Sequence, residues 1–193
     1  MKKLVLILFI VLCLVACGNT KTGYIEFNGE KSYENEELSL GFKLPEGYEF
    51  ESEEALLEKN LKLISVLAAS PVGASIHMAV TPDNNTSIYS VAVFQFNPHA
   101  EVSIDYLKKF GDKFALKVAE SKGVTDVISE EKTVSFCNRE TSCIETSYVV
   151  DGKTEYLLCY TGILNNHHIC IFTWGTSSEE TVMLMEQFYK VAN

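Results

Sequence analysis

The sequence predicts an α+β fold, an antiparallel β-sheet of about six strands with helices on both faces (an α/β/α sandwich). Three features predict it. Residues 133–174 read as a β-meander broken by short turn signals, and the strands of that meander are apolar on both faces. Three other segments, near 53–69, 102–121 and 178–191, carry apolar residues at helical spacing. A sheet that is apolar on both faces has to be covered twice, and helices are the available covers.

Short strands are expected at Tyr24–Phe27, Ser39–Leu44 and Tyr48–Phe50, with Pro45-Glu46-Gly47 as a turn. Ser52 ahead of Glu53 and Glu54 starts a helix, because a hydroxyl caps free N–H groups and acids suit the positive end of the dipole. That helix runs to about Ala69, where Ser70-Pro71 stops it, and Leu56, Leu57, Leu61, Ile64, Leu67 and Ala68 give it a broad apolar face. Strands near Ser75–Thr81 and Ser87–Phe96 flank the turn Pro82-Asp83-Asn84-Asn85. A second helix spans Val102–Ser121 with Leu107, Phe110, Phe114 and Val118 inward, closed by Lys122-Gly123. The meander then comprises Thr133–Cys137, a turn at Asn138-Arg139, Ser142–Val150, a hairpin turn at Asp151-Gly152, Lys153–Leu164, a turn at Asn165-Asn166, and His167–Trp174. A last helix, from Ser178 to about Val191, buries Val182, Met185, Phe188 and Tyr189.

A two-residue turn at Asp151-Gly152 pairs Val150 with Lys153 and Ile144 with Cys159. One face of the meander then shows Ile144, Leu157, Cys159, Cys170, Phe172 and Trp174. The other shows Val149, Leu158, Tyr160, Ile169 and Ile171.

Composition narrows the function. The chain has 16 basic and 26 acidic residues, a formal net charge of −10, and a single arginine, Arg139. Phosphate recognition needs clustered cations and favours the arginine fork, so nucleic acid is not expected as a partner. A hydrophobic share of 47% is that of an ordinary globular chain rather than a disordered one.

The first residues are an address. Met1-Lys2-Lys3 is basic and Leu4–Ala16 is an unbroken apolar run, too short for a spanning helix, which needs about 20 residues. The run ends in Leu14-Val15-Ala16-Cys17-Gly18, which resembles the lipobox of bacterial lipoproteins. The resemblance implies a diacylglyceryl group on the Cys17 thiol and cleavage after Ala16. It divides the chain into a signal peptide (1–16), a lipidated Cys17 with a short tether (17–22), and one α+β domain (23–193). Cleavage removes Lys2 and Lys3 and no acid, leaving 14 basic against 26 acidic residues, a net charge of −12. Such a body is repelled by an anionic membrane surface, so the lipid is what holds it there. The expected location is the extracytoplasmic face of a cell membrane, in a Gram-positive-type envelope.

A second resemblance concerns the body. Tyr33-Glu34-Asn35, followed by Leu40-Gly41-Phe42-Lys43-Leu44-Pro45-Glu46-Gly47-Tyr48-Glu49-Phe50, is similar to a pattern of small Gram-positive lipoproteins and to the PsbP-like fold. It implies the same sandwich and a role as an accessory or binding protein without catalysis. It carries no binding residue over to this chain.

Candidate chemistry is sparse. Once Cys13 leaves with the signal and Cys17 is lipidated, Cys137, Cys143, Cys159 and Cys170 remain. A two-residue turn at Asn165-Asn166 makes Cys159 and Cys170 diagonal neighbours on one face, the one candidate disulfide. The other reading is four buried thiols acting as small apolar side chains. His167, His168 and Cys170 lie close in sequence, but His77 and His99 add no ligand spacing, so no metal or cofactor is expected. No Gly-x-Ser-x-Gly, His-Glu-x-x-His or Ser-x-x-Lys set occurs, so no catalytic residue is assigned. The expected function is a lipid-anchored binding or accessory module with an envelope protein partner. The alternatives are a carrier of a small hydrophobic or lipid ligand, with its cavity between the 53–69 helix and the sheet, and an envelope hydrolase using His77, His99 or the His167–Cys170 group.

Overall fold

The computed structural model describes residues 22–58, 60, 74–83, 90–97, 102–124 and 126–192. Of these, 55% lie in eleven strands forming two antiparallel sheets, with three helices beside them. This corrects the expected sandwich with helices on both faces, whether taken from the residues or from the PsbP-like resemblance. One face of the main sheet is covered by a second sheet.

The strands are β1 (Thr22–Phe27), β2 (Glu30–Asn35), β3 (Leu40–Lys43), β4 (Tyr48–Phe50), β5 (Ala74–Pro82), β6 (Val91–Phe96), β7 (Val127–Phe136), β8 (Arg139–Val150), β9 (Lys153–Leu164), β10 (His167–Gly175) and β11 (Phe188–Lys190). The helices are α1 (53–58, with residue 60 also helical), α2 (Ile104–Ser121) and α3 (Ser178–Glu186). The main sheet has seven strands in the order β4-β5-β6-β10-β9-β8-β7, and the small sheet has four in the order β1-β2-β3-β11.

The hairpins follow from turn chemistry. Asp151-Gly152, Asn165-Asn166 and Asn28-Gly29 all take positive φ at both positions, the geometry whose twist matches paired strands. The first fixes Val150 opposite Lys153 and Ile144 opposite Cys159; the second sets Cys159 opposite Phe172 and Cys170 opposite Thr161. The β7–β8 turn sits one residue earlier than expected, at Cys137-Asn138, so Phe136 pairs with Arg139.

Both faces of the main sheet are buried where its strands are central. Every residue of β6 is buried. Met78, Val80, Val91, Val93, Leu158, Ile169 and Ile171 face the small sheet and α3, meeting Tyr33, Phe42, Leu184, Met185 and Phe188. Ile76, Ala79, Ala92, Phe94, Leu157, Cys159, Cys170 and Phe172 face α1 and α2. The inner face of the small sheet is an aromatic row, since Tyr24 pairs with Tyr33, Tyr33 with Phe42, and Phe42 with Phe188. Adjacent rings in this row lie 4.8–5.6 Å apart where they meet, at Tyr24–Tyr33 and Phe42–Phe188.

Helix α2 forms because Ser103 caps it, accepting from the Tyr106 N–H at 3.2 Å, and Gly123 at φ +76° ends it. Its buried positions are Leu107, Gly111, Ala115 and Ala119, a row spaced by four in which small residues let the helix lie close on the sheet. A Cβ at Gly111 would sit 2.7 Å from the Cys159 sulfur. Helix α1 starts at Ser52, whose hydroxyl accepts from Ala55 N–H at 3.2 Å. Residues 61–69 of the expected helix lie outside the described residues, as do Asn84 and Asn85 of the expected turn. Asn60 doubles as a strand partner, donating to the Ile76 carbonyl at 2.9 Å and accepting from the Ile76 N–H at 2.7 Å.

The last expected helix is also corrected. Helix α3 stops at Glu186, and Phe188–Lys190 turn back as β11 against β3, where Phe188 faces Phe42. Tyr189 then lies across Gly41 and donates to Glu34 at 2.8 Å; a side chain at Gly41 would run into that ring. Phe188 also reaches Phe136 of the main sheet, with ring centroids 5.6 Å apart, so it spans the two layers. Phe188→Ala should therefore cost about 3–5 kcal/mol in urea unfolding, the range for a buried aromatic truncated in a packed core. A loss below about 1 kcal/mol would show that β11 does not carry the small sheet.

Candidate functional site

Ala16 and Cys17 lie outside the described residues, which begin at Thr22. The four remaining cysteines are free thiols. Cys159 and Cys170 are buried diagonal neighbours with sulfurs 3.4 Å apart, in contact and unbonded. Burial raises the Cys159 thiol well above its ordinary range, and Cys170 beside it adds to that. Cys143 points to the opposite face, and burial pushes it up to about 12. Cys137 takes a left-handed backbone (φ +51°) beside a groove that also holds Arg139 and Lys190. Burial raises its thiol to about 11 against the pull of those two cations. A reactive cysteine needs the reverse balance, with the thiolate favoured.

The histidines named separately in the sequence come partly together. His77 and His167 lie within electrostatic reach of one another, on β5 and at the start of β10, while His99 lies outside the described residues. Gln95 Nε2 contacts His167 Nδ1 at 3.0 Å, and His167 Nε2 lies 3.4 Å from Glu37 in the β2–β3 turn. Asn165 donates to the Glu37 carbonyl at 2.7 Å, which fastens that turn to the β9–β10 turn. Ser75 Oγ is 3.1 Å from His77 Nε2. Burial lowers His77 below the usual histidine range; Glu37 opposes this and His167 adds to it. The Gln95 side-chain oxygen is buried without a partner among the described residues. A serine–histidine nucleophile needs a third group to orient the base, and here the carboxylate faces His167 rather than His77. Among the described residues, no cluster of three His, Cys, Asp or Glu is arranged for a metal ion.

Two further polar groups escaped the sequence reading. Glu155 sits at the C-terminal end of α2 and accepts from Lys122, from Trp174 Nε1 at 3.1 Å and from the Tyr148 hydroxyl at 3.2 Å. The Lys122 ammonium also lies 4.5 Å from the centre of the Trp174 ring, a cation–π contact. Glu145, only 4% exposed, accepts from Lys132 at 3.0 Å and from Ser178 at 2.7 Å at the start of α3. Lys132 also donates to Ser178. Each carboxylate is occupied by internal donors and joins a cover to the main sheet.

The space between α2 and the sheet is filled by rings. Phe94, Phe96, Phe110, Phe114 and Phe172 form an edge-and-stack cluster with neighbouring centroids 4.3–6.3 Å apart. The cavity expected of a lipid carrier, between the 53–69 helix and the sheet, falls largely on residues outside those described.

No known family model matches the sequence, and none of the curated proteins does either.

Glu155 gives a test of this geometry. Tyr148 is held well above the ordinary phenol range, by burial first and then by the charge and hydrogen bond of Glu155. Glu155→Gln should lower that titration, leaving burial alone to raise it, as read by NMR of ring-labelled tyrosine. The sign for stability follows from linkage. The contribution is fully present below the unfolded-state value near 10 and is lost as pH rises above it, because the unfolded chain ionises first. The stability lost through this residue at alkaline pH should consequently be smaller in the variant and complete over a narrower pH range.

Proposed function

We propose that this chain is a non-catalytic binding or accessory module, held at the extracytoplasmic face of a membrane by a diacylglyceryl group on Cys17. The observation that carries the reading is Leu14-Val15-Ala16-Cys17 behind a basic start and an apolar run, with an ordered strand beginning at Thr22. Only residues 18–21 separate the acylated position from β1. The anchor would supply attachment that the acidic surface does not, since two acyl chains hold where one is marginal. The non-catalytic half is supported by the way Glu145, Glu155 and Lys132 are consumed by internal partners. No helix among the described residues is long and apolar enough to cross a membrane. The partner that fits is an envelope protein reached from the membrane surface.

The test is membrane partitioning in a bacterial host, wild type against Cys17→Ala, with intact mass. Wild type should partition to the membrane with a diacyl increment on Cys17, and the variant should not. Two soluble, cleaved forms would mean a freely secreted protein instead.

A further inference from the structure

The strand nearest the tether is also among the most apolar parts of the surface. Of nine exposed large apolar residues among those described, three fall on β1, a strand of six: Tyr24, Ile25 and Phe27. Tyr24 turns inward, onto Phe50 at 4.8 Å. Ile25 and Phe27 alternate with it and point to the outer face of the small sheet, 43% and 72% exposed. In register beside Ile25 stand Ser32 and then Lys43. Phe27 stands opposite Glu30 on the same face and borders a shallow groove that also holds Lys43 and Glu46.

The length of chain ahead of the patch identifies what covers it. Five residues from Cys17 to Thr22 span at most about 17 Å when fully extended. Any lipid on Cys17 therefore keeps β1 within that distance of the bilayer. We infer that the outer face of the small sheet, centred on Ile25 and Phe27, seats on the phospholipid bilayer that holds the Cys17 anchor. This rests on the lipoprotein reading. The anchor supplies attachment, while the patch sets which way the body faces, with Phe27 at the headgroup–acyl boundary and Lys43 extending to a lipid phosphate. The layer order then runs bilayer, small sheet, main sheet, α2, so the α2 side faces away from the membrane.

The test uses the full lipidated chain carrying Phe27→Trp, extracted from host membranes and checked by mass for the diacyl increment. It is reconstituted in phosphatidylglycerol–phosphatidylethanolamine vesicles with bromine near the top of the acyl chains. Seating to a depth of about 5–10 Å should quench the added emission about twofold relative to unbrominated vesicles and shift it to the blue. Trp174, on the α2 side of the main sheet and packed on Lys122 and Tyr148, is the internal control and should not change in wild type. A chain that carries the diacyl mass and floats with the vesicles, yet shows no quenching, overturns the seating and leaves the anchor intact. A blue shift without bromine quenching overturns it too, pointing to a protein cover such as a second copy. A chain without the diacyl mass that stays in solution overturns the lipoprotein reading, and the seating falls with it.

Discussion

The structure depends on one constraint, that the seven-stranded sheet is apolar on both faces. β6 shows it most plainly, since all six of its side chains are buried and none can be left to water. Two covers are therefore obligatory. The chain builds one from its middle, α1 and α2, and the other from its two ends, β1–β3 with α3 and β11. Because β3 and β11 pair, with Leu40 opposite Lys190, the small sheet is incomplete until the last residues arrive. Neither end of the chain can bury its apolar side without the other, and such non-local pairing makes for slow, cooperative assembly.

Charge is placed at the seams between these layers. Glu145 ties the start of α3 to β7 and β8, Glu155 ties the end of α2 to β8, β9 and β10, and Glu37 with Asn165 and His167 ties the β2–β3 turn to β9–β10. A buried or half-buried carboxylate is costly unless its lone pairs are met, and those of Glu145 and Glu155 are each met by donors from at least two elements. Such a group contributes little net stability compared with an apolar packing of the same volume. What it does fix is position: a cover shifted by a few ångströms would leave the carboxylate unpaired. The seams thus set where each cover sits on a sheet whose apolar faces alone would tolerate several placements.

Local chemistry in the sequence was enough to read the meander. Asp151-Gly152 and Asn165-Asn166 dictate their turns, and the two faces of β9 and β10 follow by alternation, including the adjacency of Cys159 and Cys170. What stayed hidden is non-local or masked by polarity. β2 reads Glu-Lys-Ser-Tyr-Glu-Asn, with only Tyr33 and Asn35 buried, so its alternation hardly shows, although Asn28-Gly29 ahead of it is a strong hairpin signal. β11 is three residues whose spacing continues the apolar stripe of α3; nothing local says that Phe188 belongs opposite Phe42. With both strands missing, the N-terminal segments look like members of one sheet, and helices seem the only covers left. The polar clusters escaped for the same reason. Glu155 and Lys122 lie 33 residues apart, and Gln95 and His167 lie 72 apart.

Sheet edges supply the last step. The main sheet ends at β4, only three residues long, and at β7, whose outward half carries Glu130, Glu131 and Lys132. The small sheet ends at β11, again three residues with a terminal lysine, and at β1. Brevity and charge are the usual protections against edge-to-edge pairing. β1 has neither to the same degree: it runs six residues with one charge, Glu26, and two outward apolar side chains. Free in solution, such an edge invites association with other chains. Under the proposed Cys17 anchor the same strand would lie within about 17 Å of a bilayer, screened by the surface its apolar residues would face. The weakest edge of the fold is thus the one that the proposed anchor would place where a neighbouring chain has least access.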